Sequence, residues 1–312
     1  MTRKYIKRFP LAHTFSIVAK DSKTGLLGVA VQSHWFSDGS VVTWAEAGVG
    51  AVATQSMVEV SYGPLGLQLL RAGKTPQQAL ASLLASDEGR ALRQVAMVDV
   101  SGQVAVHTGE RCIAAAGHQA GSGYSVQANM MANDHIWPAM ADAYEKAEGE
   151  LAERMLAAME AGQAAGGDIR GQQSAAILIV SDKSTGRPWA DQRMELRVED
   201  HPEPVKELRR LVQVHRAYEL MNLGDERLAS GQTEEALGAY KAAARLAPDM
   251  DELPFWEAVT MADIGRVEES LPLFRHVFAL NPDWAVLVQR LPAAGLLKDD
   301  PELMRRILDQ TA

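Results

Sequence analysis

The chain has 312 residues, 47% of them hydrophobic, a formal net charge of −9 and one cysteine, Cys112. That length allows one large domain or two ordinary ones, with enough apolar content for a substantial core. The acidic balance argues against a general binder of nucleic acid or anionic membrane, since both need a basic patch. A lone cysteine excludes an internal disulfide.

The start, MTRKYIKRFPLAHTF, is basic. It lacks the apolar core of roughly 7–15 residues that marks a secretory signal. No run reaches the roughly 18 apolar residues of a membrane span. A soluble, cytoplasmic protein is expected, and a single thiol fits a reducing compartment.

Along the chain, short runs rich in Val, Ile and Ala and bounded by Gly or turn residues predict strands. They fall at 14–19, 27–33, 50–55, 94–98, 104–108, 175–180 and 195–198. Helices are predicted over 63–72, 76–86, 135–147 and 150–162, with Thr75 and Pro76 as N-cap and first-turn proline of the second. Strands in hairpin-like pairs and helices in separate pairs predict layered α and β, not a doubly wound parallel sheet. The segment 199–204, EDHPEP, carries two prolines and several charges and reads as a linker, so the predicted domains are 1–198 and 199–312.

The second half reads as wholly helical and repeats. Gly231, Ala236, Leu237, Tyr240, Leu246 and Pro248 recur 34 residues later as Gly265, Ser270, Leu271, Phe274, Leu280 and Pro282. This is the tetratricopeptide period, with a small residue where helices approach, an aromatic filling the groove and a proline ending the pair. Two copies are fewer than the three usually needed to stand alone, and residues 285–308 are a candidate third pair. An uncovered end carrying Leu237, Leu246, Leu271 and Leu280 predicts a homodimer or higher homo-oligomer, with a protein partner through the repeats as the other use of this surface.

The stretch HTFSIVAKDSKTGLLGVAVQSHW, residues 13–35, reads as a hairpin. With Asp21–Gly25 as the loop, Thr14 faces Gln32 and Ser16 faces Ala30. Alternation then puts Thr14, Ser16, Ala30 and Gln32 on one face. His13, Thr14, Ser16, Gln32, Ser33 and His34 would gather at the open end, either as a site or as a solvated polar edge.

Six stretches carry a family resemblance: TFSIVA, LGVAVQSHWF, AGVGAVATQSMVEVSYGPLGLQLLRAG, RQVAMVDVSGQVAVHTGERC, AGHQAGSGYSVQANMM and GGDIRGQQSAAILIV. They run in order from about residue 14 to 180. The chain resembles the domain-of-unknown-function family 1028, which is similar to the N-terminal-nucleophile hydrolases. The resemblance implies an α+β fold in four αββα layers, here followed by an all-α helical-repeat domain. It also implies a nucleophile that becomes the first residue of a cleaved chain, its freed α-amine serving as base. Such an amine titrates near 7.7–8.0 and can activate an otherwise inert hydroxyl. Thr14 matches that position. Thirteen residues precede it, and 41–45, VVTWA, offers no lysine where proteasome-type members carry one.

The remaining candidates follow by residue type. Asn129 is a plausible oxyanion donor. Gln32, Ser33 and His34 are placed to orient substrate or accept a proton, with Ser16 beside them. Gln55 and Ser56 end a strand and line the same cleft. Asp168 and Arg170 form an ion pair or hold a carboxylate. Gly48-x-Gly50-x-x-Ala53 is followed by strand-like ATQS where a dinucleotide loop needs a helix. No HExxH or CxxC spacing supports a metal, so no cofactor or metal is expected. The expected function is hydrolysis of an amide or related C–N bond in a small molecule. The alternative is a non-catalytic small-ligand-binding or assembly protein on the same fold.

Overall fold

A computed structural model describes residues 11–12 and 14–311. His13, named above at the open end of the hairpin, lies outside the described residues. The chain forms two compact units, one ending at Leu211 and the other beginning at Val212.

The first unit contains strands β1 (Leu11–Ala12), β2 (Thr14–Lys20), β3 (Leu27–Ser33), β4 (Thr43–Glu46), β5 (Gly50–Met57), β6 (Arg93–Asp99), β7 (Val104–Thr108), β8 (Gly117–Gly121), β9 (Tyr124–Ala128), β10 (Ser174–Val180) and β11 (Gln192–Val198). Its helices are α1 (Gly39–Val42), α2 (Tyr62–Arg71), α3 (Pro76–Ser86), α4 (Ile136–Lys146), α5 (Leu151–Ala164) and α6 (Pro188–Asp191), followed by the start of α7 (Pro204–Ala229). The strands make two antiparallel sheets. One runs β11-β10-β3-β2-β9-β8, and the other β1-β5-β6-β7 with β4 also on β5. The fold is therefore mixed α and β, as the paired pattern predicts. Strands β1, β4, β8 and β9 have no counterpart among the predicted strands, being two to five residues long and poor in Val and Ile.

Strand alternation sorts the core. Val18, Val29, Val31, Ala51, Ala53, Ala96, Val98 and Ala176 pack in one cluster between the sheets. Val52, Val95 and Met97 point the other way, onto Leu67, Leu70, Leu80 and Leu83 of α2 and α3. On the six-stranded sheet, Gly28 backs onto α5, where an added methyl would meet Met155 Sδ at 2.8 Å. Each fully buried Val, Leu or Met contributes about 1.5–3 kcal/mol.

The hairpin register departs from the expected one by one residue. Thr14 pairs with Ser33, Phe15 with Gln32 and Ser16 with Val31. The cause is Asp21, which belongs to the ladder end and not to the loop. Its backbone N–H donates to Leu26 O at 2.8 Å, and its carboxylate accepts from Thr24 N at 3.0 Å and Thr24 Oγ1 at 2.5 Å. Gly25, at φ 77°, supplies the left-handed residue that closes this four-residue loop. A one-residue slip moves a side chain to the opposite face, and Gln32 therefore does not share a face with Thr14.

The second unit contains the rest of α7 and α8 (Thr233–Leu246), α9 (Glu252–Asp263), α10 (Val267–Leu280), α11 (Asp283–Val288) and α12 (Pro301–Leu308). Helices α8 and α10 are both 14 residues long, start to start 34 residues apart. Ala236, Ser270, Tyr240 and Phe274 are all buried. Tyr240 packs closely against α7 because residue 224 is glycine, where a Cβ would sit 2.2 Å from the ring. Past α10, Phe274, Val277 and Phe278 join Val288, Leu303 and Ile307 in one cluster, so α11 and α12 cover that side of α10. Of the four leucines expected on an open end, Leu237 is buried and Leu271 half-buried, while Leu246 and Leu280 are exposed.

Candidate active site

Thr14 opens β2 as a fully buried residue, on the face turned toward the other sheet. In the same row across the sheet stand Ser33 of β3 and Ser174 of β10, each paired in register with its neighbour. Directly opposed Cβ atoms of such pairs lie about 4.5–5.5 Å apart, so three hydroxyl-bearing residues form a line at one end of the interior. The Thr14 hydroxyl is buried and has no hydrogen-bond partner. Its carbonyl, by contrast, accepts from Asn129 N at 3.1 Å, Asn129 Nδ2 at 3.3 Å and Gln55 Nε2 at 3.1 Å.

Behind this row lies a connected set of amides. Ser16 Oγ donates to Gln55 Oε1 at 2.6 Å, and Gln127 Nε2 donates to Ser16 Oγ at 2.6 Å. Gln55 Nε2 and Asn129 Nδ2 both donate to Gln94 Oε1, at 2.7 and 2.9 Å. Gln94 Nε2 in turn reaches Thr108 Oγ1, Gly117 O and Ala128 O at 2.9–3.1 Å. Ser125 Oγ donates to Gln127 Oε1 at 3.0 Å. A buried network this fully satisfied rigidifies its surroundings. Thus Ser16, Gln55 and Asn129 do stand with Thr14, as bracing for its backbone. The Asn129 amide is spent on Thr14 O and Gln94, so the oxyanion-donor role expected of it is not free in this arrangement.

The backbone next to this set is strained. Ser56, paired with Ala12 of β1, has φ 72°, and its buried hydroxyl also lacks a partner. Non-glycine residues in the left-handed region cost of order 1 kcal/mol and cluster at functional sites.

Asp38 sits at the start of α1 beside the outer end of the hydroxyl row. Its N–H donates to Ser174 Oγ at 3.3 Å. Burial pushes its carboxyl up to about 7, opposed by the Ser174 hydroxyl and the Gly39 amide and assisted by Glu199. Ser174 lies near enough to lower this value, yet its proton goes to Trp35 O at 2.5 Å, so neither carboxyl oxygen has a donor in normal geometry.

The other predicted residues fall elsewhere. Gln32 shares the opposite face with Phe15, fully buried with both amide atoms unpartnered. His34 follows that strand, its N–H to Asp168 Oδ2 at 3.4 Å and its Nδ1 without a partner. Arg170 engages Asp168 with its fork, Nε to Oδ1 at 3.0 Å and Nη2 to Oδ2 at 2.6 Å, so the two form the ion-pair alternative. Cys112 donates its thiol to Arg93 O at 3.3 Å, and burial raises its pKa, which suits a packed residue. Sequence reasoning missed Gln94, Gln127, Ser174 and Asp38. The signal for the first two was a Gln at an inward position of an alternating strand, as in Gln94-Val95-Ala96-Met97-Val98. Among the described residues, no group of three or more His, Cys, Asp or Glu is placed to hold a metal. No described helix is long and apolar enough to cross a membrane.

The first unit is thus a mixed α and β scaffold of two antiparallel sheets, with hydroxyls and amides collected at one end of its interior. The model of a family of unknown function, DUF1028, matches residues 14–208, and the chain belongs to that family. Among solved structures it is similar to protein SPO2555 from Silicibacter pomeroyi, of the same family. The identity is 31% and the TM-score 0.59, over 65% of this chain and 85% of that one. No curated protein matches it.

Proposed function

We propose that the first unit is a hydrolase of an amide or related C–N bond in a small molecule, built as a four-layer αββα domain of the N-terminal-nucleophile type. Thr14 is its nucleophile. The observation that carries this reading is the Thr14 hydroxyl, buried and unpartnered beside a carbonyl held by three donors. The braced backbone fixes where the hydroxyl sits, and nothing competes for its proton. In this reading the Thr14 hydroxyl first attacks the carbonyl carbon of residue 13. The acyl group passes from nitrogen to oxygen, and water hydrolyses the ester. That releases the leader and frees the α-amine, which then takes the hydroxyl proton in turnover. Ser33 and Ser174 orient substrate. Asn129, Gln55 and Ser16 are positioning residues.

A second reading has its own support. Leu11 and Ala12 pair with Met57 and Ser56, so these two residues before Thr14 add a short strand to the edge of the other sheet. A protein that keeps this leader is a non-catalytic small-ligand binder on the same scaffold. On either reading the protein is cytoplasmic, and the helical unit is a tetratricopeptide-like module for a homo-oligomer or a partner.

Intact-mass analysis of freshly made protein, native and Thr14→Ala, separates the two. Loss of residues 1–13 from the native chain but not from the variant supports the hydrolase. Full-length mass in both removes the free-amine mechanism and leaves the binder.

A further inference from the structure

The helical unit lies outside the family match and holds a cavity of about 500 Å³, within the usual range for ligand sites. It runs between one stripe of α7 and one of α9. Tyr218 and Asp225 come from the first, Glu252, Trp256 and Asp263 from the second, and Leu296 closes one side. Tyr218 and Leu296 leave 38% and 54% of their surface in water, so the groove keeps apolar surface open to a ligand.

The charge in this groove is of one sign. Glu252 accepts from Tyr218 Oη at 2.5 Å and Trp256 Nε1 at 3.3 Å. Asp225 accepts from Tyr240 Oη at 2.7 Å, and Asp263 from the backbone N–H of Lys298 at 2.8 Å. All these donors are neutral. They aim the carboxylates without cancelling their charge, and no Lys or Arg side chain is among the groove's lining residues. Glu252 and Asp263 mark the two ends, three turns of α9 apart, about 16 Å at 1.5 Å per residue. An extended peptide spans that distance in about five residues.

We propose that this groove binds an extended segment of a partner protein in which two basic side chains about five residues apart flank large apolar ones. The basic groups meet Glu252 and Asp263, with Asp225 between them, and the apolar side chains cover Trp256 and Leu296. This deepens the reading of the helical unit as a partner module and is independent of what Thr14 does.

The test uses the full chain and the peptide acetyl-KLFALK-amide. Acetyl-ELFALE-amide and spermine serve as controls; binding is followed by calorimetry and by the part of the intrinsic tryptophan fluorescence change that Trp256→Phe removes. The basic peptide should bind, more weakly as salt rises, and the acidic one should not. Glu252→Gln and Asp263→Asn should each weaken it about threefold, as partly exposed ion pairs do, with melting temperatures unchanged. Leu296→Ser, at an exposed position, should weaken it while leaving the salt dependence intact. Absence of binding at millimolar peptide, equal binding of the acidic peptide, or unchanged affinity in both charge variants and Leu296→Ser overturns the proposal. Spermine binding as tightly as the peptide would overturn it in favour of a polyamine site. None of these outcomes alters the leader-mass result, so the two readings fail separately.

Discussion

Ser16 Oγ donates to Oε1 of Gln55 at 2.6 Å and so joins the two sheets of the first unit through their shared interior. Gln55 carries the link on to Gln94 and to the Thr14 carbonyl. One hydroxyl on β2 and one amide on β5 therefore fix the distance between the sheets at the end where Thr14 sits.

Removing one member should cost more than an ordinary hydrogen bond. Ser16→Ala leaves Gln55 Oε1 and Gln127 Nε2 each short of a partner inside the core, at about 1–3 kcal/mol for each orphaned group. Gln94→Leu, with more partners to strand, should cost more than Ser16→Ala. Urea unfolding of both variants checks the order, and a Gln94→Leu chain as stable as the native one would show the network to be dispensable.

How far the sequence reached can be seen at these same residues. Seven of the eleven strands of the first unit, the helix pairs and the 34-residue spacing were legible because each rests on local periodicity and turn chemistry. Thr14, Ser16, Gln55 and Asn129 were found, and they do meet. Gln32 was assigned to the wrong face because loop length alone decides register, and the side-chain bonds of Asp21 that set it are not visible in a hydropathy pattern. Ser174 and Asp38 were missed because they reach the site from β10 and α1, more than a hundred residues apart. Only the pairing of Ser174 with Ser33 brings them together.

Gln32 yields a prediction opposite to that of a cleft residue. Both of its amide atoms are buried without partners, so its polarity is a cost in the folded state. Gln32→Met keeps the length of the side chain and removes that cost. The variant should be as stable as the native chain or more so, by up to about 1 kcal/mol, with leader release unaffected. A clear loss of stability would mean that the amide is engaged.

Asp38 should make stability fall as pH rises. Its folded pKa, raised to about 7, lies above the usual carboxylate value of 3.8. Below pH 4 the group is protonated in both states and makes no difference. Between pH 4 and 7 the unfolded chain loses the proton more readily than the folded one, so unfolding is increasingly favoured. Above 7 the penalty is constant, on the order of a few kcal/mol at 1.36 kcal/mol per unit. Asp38→Asn should abolish this component, and the native and variant curves of unfolding free energy should diverge between pH 4 and 7. Parallel curves would place the carboxyl in a wetter or better-paired setting.

The last prediction concerns where the first unit ends. Strand β11 stops at Val198, but the compact unit continues to Leu211 inside α7. Val205 and Leu208 are buried there, and Arg209 binds two carboxylates of α5, Glu153 at 2.8 Å and Glu160 through its Nε. A chain cut after Val198 loses two buried apolar side chains, about 1.5–3 kcal/mol each, and leaves the α5 acids without their cation. A chain cut after Leu211 keeps all three. At about 2–4 °C per kcal/mol for a unit of this size, the shorter chain should melt roughly 10 °C below the longer one. Light scattering on the longer chain then tests the helical unit as the assembly device. A lower oligomeric order than that of the full chain assigns assembly to residues beyond 211, and an unchanged order returns it to the first unit.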